Sequence, residues 1–184
     1  MRFICPKSRS TESGIKDGPC GATKGIYGYT TLSPGWQTIT IQETIVHHGA
    51  PVRVALSRND KDNDFESCIL LNHVPHYDSA SFGFLYNITI YVPDIKCDKC
   101  TLQVLQVMTD KVTYDSRECT YDPLDHMSFT NGKCGSVYHT CADVKITGKQ
   151  NKDSFTCSQP SDWPYASLPA STYSKGESGS WTKQ

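Results

Sequence analysis

Two runs of alternating side chains meet at a His-His-Gly corner, and that alternation constrains the fold more than any other feature of the chain. Within residues 36–56, apolar side chains recur at Ile39, Ile41 and Ile45, then at Val52, Val54 and Leu56. Successive side chains of a strand point to opposite sides, so a period of two marks strands buried on one face. His47, His48 and Gly49 lie between the two runs. A corner there lifts an imidazole to the rim of a sheet, where a metal can reach it.

The rest of the chain repeats the pattern. Helical periodicity is nearly absent, and strand-like runs recur near Gly25–Thr31, Trp36–Val46, Val52–Ser57, Cys68–Leu71, Leu85–Val92, Thr101–Met108 and Tyr138–Ile146. Turn formers separate them, notably in Ser33-Pro34-Gly35, in residues 58–64 and in Thr130-Asn131-Gly132. Seven or so short strands punctuated in this way predict an all-β chain, a β-sandwich of the immunoglobulin or fibronectin-III kind with long disulfide-held loops. Residues 110–136 show little periodicity and contain Cys119 and Cys134, which predicts a long loop held by a disulfide. From Gly148 the chain turns polar, and beyond Trp163 it is rich in Ser, Pro, Thr and Gly. The expected division is therefore a sandwich over 1–147 and an extension ending in a tail or linker over 148–184. Such a tail leads toward an anchor or module beyond Gln184.

Composition removes several function classes. The formal net charge is −1 with no basic run, so the footprint of a nucleic-acid binder is missing. No stretch of about 18 apolar residues exists to span a membrane. Met1-Arg2-Phe3-Ile4-Cys5-Pro6 lacks the long apolar core of a signal peptide. No Gly-x-Ser-x-Gly elbow, P-loop or Gly-x-Gly-x-x-Gly is present, so nothing favours a hydrolase, kinase or dinucleotide enzyme.

The nine cysteines are Cys5, Cys20, Cys68, Cys97, Cys100, Cys119, Cys134, Cys141 and Cys157. Cys97-x-x-Cys100 could open a zinc site, but no second pair has finger-like spacing, so disulfides in an oxidising compartment fit better. An odd number leaves one thiol free or paired outside the chain. Asn87-Ile88-Thr89 is a glycosylation sequon. Alternation places Asn87 on the face opposite Ile88, Ile90 and Val92, so a glycan there points outward. The chain reads as a secreted protein, extracellular or at the cell surface, whose leader has been removed.

Several motifs then occur in a particular order. Pro6-x-Ser8-Arg9-Ser10 opens the chain, Glu43-Thr-Ile-Val-His47-x-Gly49 follows, and Cys68-Ile-Leu-Leu-Asn72-His73-Val-Pro75-His76 comes next. Pro93-Asp94-x-x-Cys97-x-x-Cys100-x-Leu102-Gln103 and Cys141-Ala142-Asp143-Val144 complete the set. In order and spacing the chain resembles the lytic polysaccharide monooxygenases, in their chitin-binding-type-4 and polysaccharide-monooxygenase-like groups, over residues 1 to 147.

The resemblance implies a copper site in which two histidines supply three nitrogens, the first histidine also giving its α-amino group. It implies His47 as the second copper histidine, with His48 as an alternative, and Tyr138 as the axial aromatic, three residues before Cys141. Ser136 falls two before Tyr138, where several fungal members carry a glutamine. The opening proline is seventh in the family pattern and sixth here, so the resemblance implies a histidine immediately before Met1 that this sequence does not contain. Arg53 is expected as a surface arginine with a packed stem, and His139 at an exposed strand position. His73 and His76 straddle a proline that prevents a helical pair, and His126 has no independent support.

Three functions stay open. The first is a copper-dependent oxidase cleaving chitin, cellulose or another extracellular glycan, supplied by an external electron donor. The second is a non-catalytic copper-binding or copper-acquisition protein, for which His48, His73 and His76 are extra ligand candidates. The third is a structural matrix protein with a degenerate copper site. An enzyme needs groups around the metal to grip a chain, and Tyr27, Tyr29, Tyr77 and Phe82 are the candidates.

Overall fold

The computed structural model describes residues 1–12, 15, 18–46, 52–74, 81–107, 137–157 and 180–181. Among the described residues ten strands form two sheets. They are β1 (Arg2–Cys5), β2 (Thr30–Leu32), β3 (Gly35–Gln42), β4 (Val52–Ser57), β5 (Ile69–Val74), β6 (Leu85–Val92), β7 (Ile95–Val107), β8 (Val137–Thr147), β9 (Gln150–Asn151) and β10 (Ser180–Trp181). One sheet has the order β1-β3-β6-β10. The other has the order β2-β8-β7-β4-β5, with β9 also paired to β7. The helical structure among the described residues is one 3-10 turn, Phe65–Ser67. The protein is an all-β sandwich.

Alternation builds the core. Phe3, Ile39, Ile41, Tyr86, Ile88, Ile90 and Val92 face inward from the first sheet. Val52, Val54, Leu56, Leu102, Val104, Ala142, Val144 and Ile146 meet them from the second. Each such aliphatic side chain contributes about 1.5–3 kcal/mol when buried.

The second sheet is covered on both faces, which explains why every residue of β4 is buried. On its outer face Cys20, Ala55, Phe65, Ile69 and Cys141 form a smaller apolar cluster. This layer corrects two expectations. Arg53 is not at the surface but fully buried, with Nη2 donating to the carbonyl of Phe65 at 3.4 Å. His139 is not exposed either: it is buried, and its backbone N–H donates to the carbonyl of Ile15. Its ring lies so near Gly18 that a Cβ there would sit 3.2 Å from His139 Cε1. Non-periodic segments lie over a sheet face that alternation alone would leave in water.

Among the described residues, the disulfides Cys20–Cys141 and Cys68–Cys157 join distant segments, and Cys97–Cys100 closes a short loop within β7. Cys5 is free and exposed. Cys119 and Cys134, with the loop predicted for 110–136, lie outside the described residues. Cys157 and Phe155 pack against the main core, so the chain beyond Gly148 returns to the sandwich. Gly148 itself has no substitute, because a Cβ there would come within 2.3 Å of the Ile95 backbone nitrogen.

Arg9 is the centre of a buried charge network over the second sheet. Its guanidinium donates to Asp62 (2.7 Å), to Asp143 on β8 and to Thr101 on β7 (2.8 Å). Lys24 Nζ also reaches Asp62 at 2.7 Å, and Asp143 accepts the Gly25 N–H at 2.6 Å. Asp62 has a positive φ of 56°, a conformation that Asp and Asn tolerate better than most residues.

Burial alone would push the Asp62 carboxyl up. Hydrogen bonds from Arg9, Lys24 and Thr101 outweigh it and hold the group below the ordinary carboxylate range. Asp62 therefore contributes stability that is fully present above its unfolded value of about 3.9 and is lost as pH falls through its lower folded value. Asp62→Asn, which keeps the backbone conformation, should cost toward the low end of the roughly 3–5 kcal/mol expected for breaking a buried pair, since Asp143 still faces Arg9. Urea unfolding as a function of pH should show this loss at neutrality, together with a flatter stability profile below about pH 4.

Candidate functional site

Strand register brings distant parts of the chain to one end of the sandwich. β1 pairs antiparallel with β3 so that Arg2 lies opposite Gln42, which sets Met1 beside the exit of β3. β6 starts at the same end, with Leu85 opposite Gln42. In the second sheet Val52, the first residue of β4, lies opposite Gln106, and Gln106 lies opposite Tyr138. On the second sheet the start of β4, Gln106 and Tyr138 therefore share one end. After β1 the chain crosses to that sheet, where the Arg9 N–H donates to Cys141, three residues along β8 from Tyr138.

The core changes character there. Continuing inward from Ile39 and Ile41, the next residue of that face is Glu43, which is fully buried. Tyr86 donates its hydroxyl to Glu43 Oε2 at 2.8 Å. Backbone bonds fix the corner's first residue, since Glu43 N–H donates to Phe84 and Gly83 N–H to Glu43. Ile45, expected inward, is 39 % exposed because β3 ends at Gln42 and the chain bends.

On the facing sheet, the inward row Leu102, Val104 continues to Gln106, which is 1 % exposed. Neither polar atom of the Gln106 carboxamide has a hydrogen-bond partner among the described residues, and the buried hydroxyl of Thr44 also lacks one. Each such buried group left unmade costs about 1–3 kcal/mol. Tyr138 is buried beside Gln106, three residues before Cys141, which is bonded to Cys20.

Other expected site residues fall elsewhere or beyond description. His47, His48, Ser136, His76, Tyr77 and His126 lie outside the described residues, and His73 lies on β5. Among the described residues no group of three or more His, Cys, Asp or Glu could hold a metal ion. Phe82 is 79 % exposed in the turn before β6, near Glu43. Tyr27 is exposed under a cation–π contact from Lys7 at 4.3 Å, and Tyr29 is part-buried; both precede β2. Asn87 stands half-buried in mid-β6, its Oδ1 accepting from Thr40 Oγ1 at 2.8 Å. Glu43 only opened a motif and Tyr86 and Gln106 were given no role, yet each stands on an inward alternation shared with aliphatic residues. That continuation was the available signal.

No protein-family model matches the chain, and no curated protein matches its sequence. Solved structures of similar fold include a lytic polysaccharide monooxygenase, AA15, from Thermobia domestica in the Cu(I) state. It is 18 % identical, with a TM-score of 0.48 over 71 % of this chain and 76 % of that one. The extended catalytic domain of LPMO9A from H. jecorina is 12 % identical, with a TM-score of 0.42 over 82 % of this chain and 60 % of that one. Fusolin from the spindles of a Wiseana entomopoxvirus is 16 % identical, with a TM-score of 0.39 over 84 % of this chain and 52 % of that one.

The Glu43–Tyr86 bond is the described link holding the corner's first side chain. Tyr86→Phe removes the donor and leaves Glu43 Oε2 without it. The expected loss is about 1–3 kcal/mol in equilibrium urea unfolding, with the sandwich otherwise retained by circular dichroism.

Proposed function

We propose that the protein is a secreted, copper-dependent polysaccharide monooxygenase-like protein that cleaves glycosidic bonds of an extracellular polysaccharide by oxidation. The observation that supports this reading is strand register, with Met1 beside the exit of β3 on one sheet and Tyr138 beside Gln106 and the start of β4 on the other. His47, or His48 in its place, would supply an imidazole. A histidine before Met1 would supply a second imidazole and its α-amino group, and such nitrogen ligands suit copper over harder cations. Tyr138 would stand beside the metal, and Ser136 further out, where hydrogen-bond donors tune a metal. The buried polar rim formed by Glu43, Tyr86, Gln106 and Tyr138 fits a group that needs polar neighbours in an otherwise apolar interior. When bound, copper supplies redox chemistry fed by an external electron donor, so no pair of carboxylates is required.

Around the same rim, Phe82, Leu85 and Ile45 are exposed. They give an apolar face of the kind that sugar rings stack upon. The disulfides fit an oxidising compartment, and no helix among the described residues is long and apolar enough to cross a membrane. A glycan on Asn87 belongs to this reading, as does a division at residue 147 between the sandwich and an extension. Ser136, where several of the enzymes carry glutamine, favours a second reading: a non-catalytic copper-binding protein, or a matrix protein with a degenerate site.

Sequencing of the natural N-terminus should find histidine ahead of Met1. Natural protein loaded with Cu(II) and given a reductant should release oxidised oligosaccharides from one of a panel including chitin and cellulose, read by mass spectrometry. His47→Ala should abolish both copper uptake and product. Phe82→Ala should weaken retention on the insoluble substrate about threefold to tenfold while leaving copper uptake intact. Copper uptake without product on any glycan selects the second reading.

A further inference from the structure

The two sheets treat their outer faces differently. That of the second sheet lies under segments that bury Arg53 and His139. On the first sheet, the side chains of β3 and β6 that alternate away from the core form four rows. They are Gln42–Leu85, Thr40–Asn87, Thr38–Thr89 and Trp36–Tyr91. Three large apolar residues of these rows stay in water, with Trp36 at 48 %, Leu85 at 43 % and Tyr91 at 49 % exposed. Trp36 and Tyr91 meet edge to face, their ring centroids 5.1 Å apart. An adjoining aromatic pair on an exposed sheet face is the kind of apolar patch that marks a contact surface.

The chemistry of the rows narrows the occupant. No charged side chain stands in them, so they offer no complement to an ionic partner. Hydroxyl and carboxamide groups lead along the face to an aromatic ring, which suits the hydroxyls and apolar C–H faces of sugars. An attachment point for a sugar chain lies within the same rows. Asn87 of the Asn87-Ile88-Thr89 sequon is mid-strand on this face, and Thr89 holds the next outward position. Thr40 Oγ1 donates to Asn87 Oδ1 at 2.8 Å. That bond occupies the carboxamide oxygen and leaves Nδ2, the atom a glycan takes, unbonded among the described residues. At about 3.4 Å per residue, Tyr91 stands about 14 Å further along β6. That is beyond the first sugar of a glycan and within the span of the sugars that follow.

We propose that the chain's own N-linked glycan, carried on Asn87, lies back along the Thr38–Thr89 row and packs its inner sugars against Tyr91. The inference rests on the reading of Asn87 as glycosylated and not on copper. In the transfer which that reading requires, Nδ2 loses a proton and bonds to the anomeric carbon of a lipid-linked oligosaccharide, and the lipid diphosphate leaves. A glycan so placed closes the outer face of the first sheet to other partners.

The test uses the full chain purified from the medium of eukaryotic cells, its glycan mapped by mass spectrometry and then trimmed enzymatically to the first sugar. Trimming should lower the melting temperature of the wild type by about 2–4 °C, the worth of one aromatic contact in a chain of this size. Tyr91→Phe keeps the ring and should show the same fall. Tyr91→Thr removes the ring but keeps a strand-forming residue, and there trimming should change nothing. An equal fall in all three proteins, or no fall in the wild type, overturns the inference and leaves the glycosylated sequon standing. Asn87 found unmodified defeats both. Dimerisation of the untrimmed protein, or its retention on chitin or cellulose, that is lost in Tyr91→Thr puts another occupant on the face and overturns the inference as well.

Discussion

The position of the rim depends on one guanidinium. The first residues of the chain join the first sheet as β1, but Arg9 crosses to the second, where its backbone N–H donates to Cys141 and its side chain meets Asp62, Asp143 and Thr101. Thr101 and Asp143 face each other across β7 and β8, and Asp62 comes from the loop after β4. A single side chain therefore fastens the opening segment to three elements. Such a network is not a cheap source of stability, since desolvating charges can cost more than their attraction returns. Its effect is geometric. Hydrogen bonds at 2.7 and 2.8 Å fix where residues 6–10 run, and β1 can then reach only the register that sets Met1 against the exit of β3.

Legibility followed the reach of alternation. Val52–Ser57 and Leu85–Val92 were readable to the residue, because each is an uninterrupted period-two run between turn formers. β3 was read four residues too long: Ile45 looked like another inward side chain, whereas Glu43 holds that face and the strand ends. β7 begins at Ile95 and not near Thr101, because a shift of register between Cys97 and Cys100 breaks the period that sequence reading relies on. β1 escaped notice altogether, being four residues long with an arginine and a cysteine in it.

Arg53 and His139 mark a different boundary. Both sit on outward positions of the second sheet, and alternation assigned both to water. Irregular residues of the opening segment, among them Ile15 and Cys20, and a single 3-10 turn at Phe65 cover that face. A coil layer buries a sheet as effectively as a helix does but leaves no period in the sequence. The candidate site shows the same boundary. The resemblance named Tyr138, which register sets beside Gln106, whereas the buried polar contacts of Tyr86 and Gln106 became visible only in the folded chain.

That end departs from the rule the rest of the sandwich obeys. Along β3 the inward face passes from Ile39 and Ile41 to Glu43, and along β7 it passes from Leu102 and Val104 to Gln106. In β6 the sequence runs the other way, from Tyr86 to Ile88 and Ile90. In each of these rows the polar side chain stands at or near the end, though the strands run in different directions along the chain. Chance substitution would scatter such residues along the core, where each would carry its own desolvation cost. Keeping them to the ends of the rows leaves the middle of the core free to pack. Sites that break the local rules of folding are where function is most economically placed, and in this sandwich the break lies where β3 ends at Gln42.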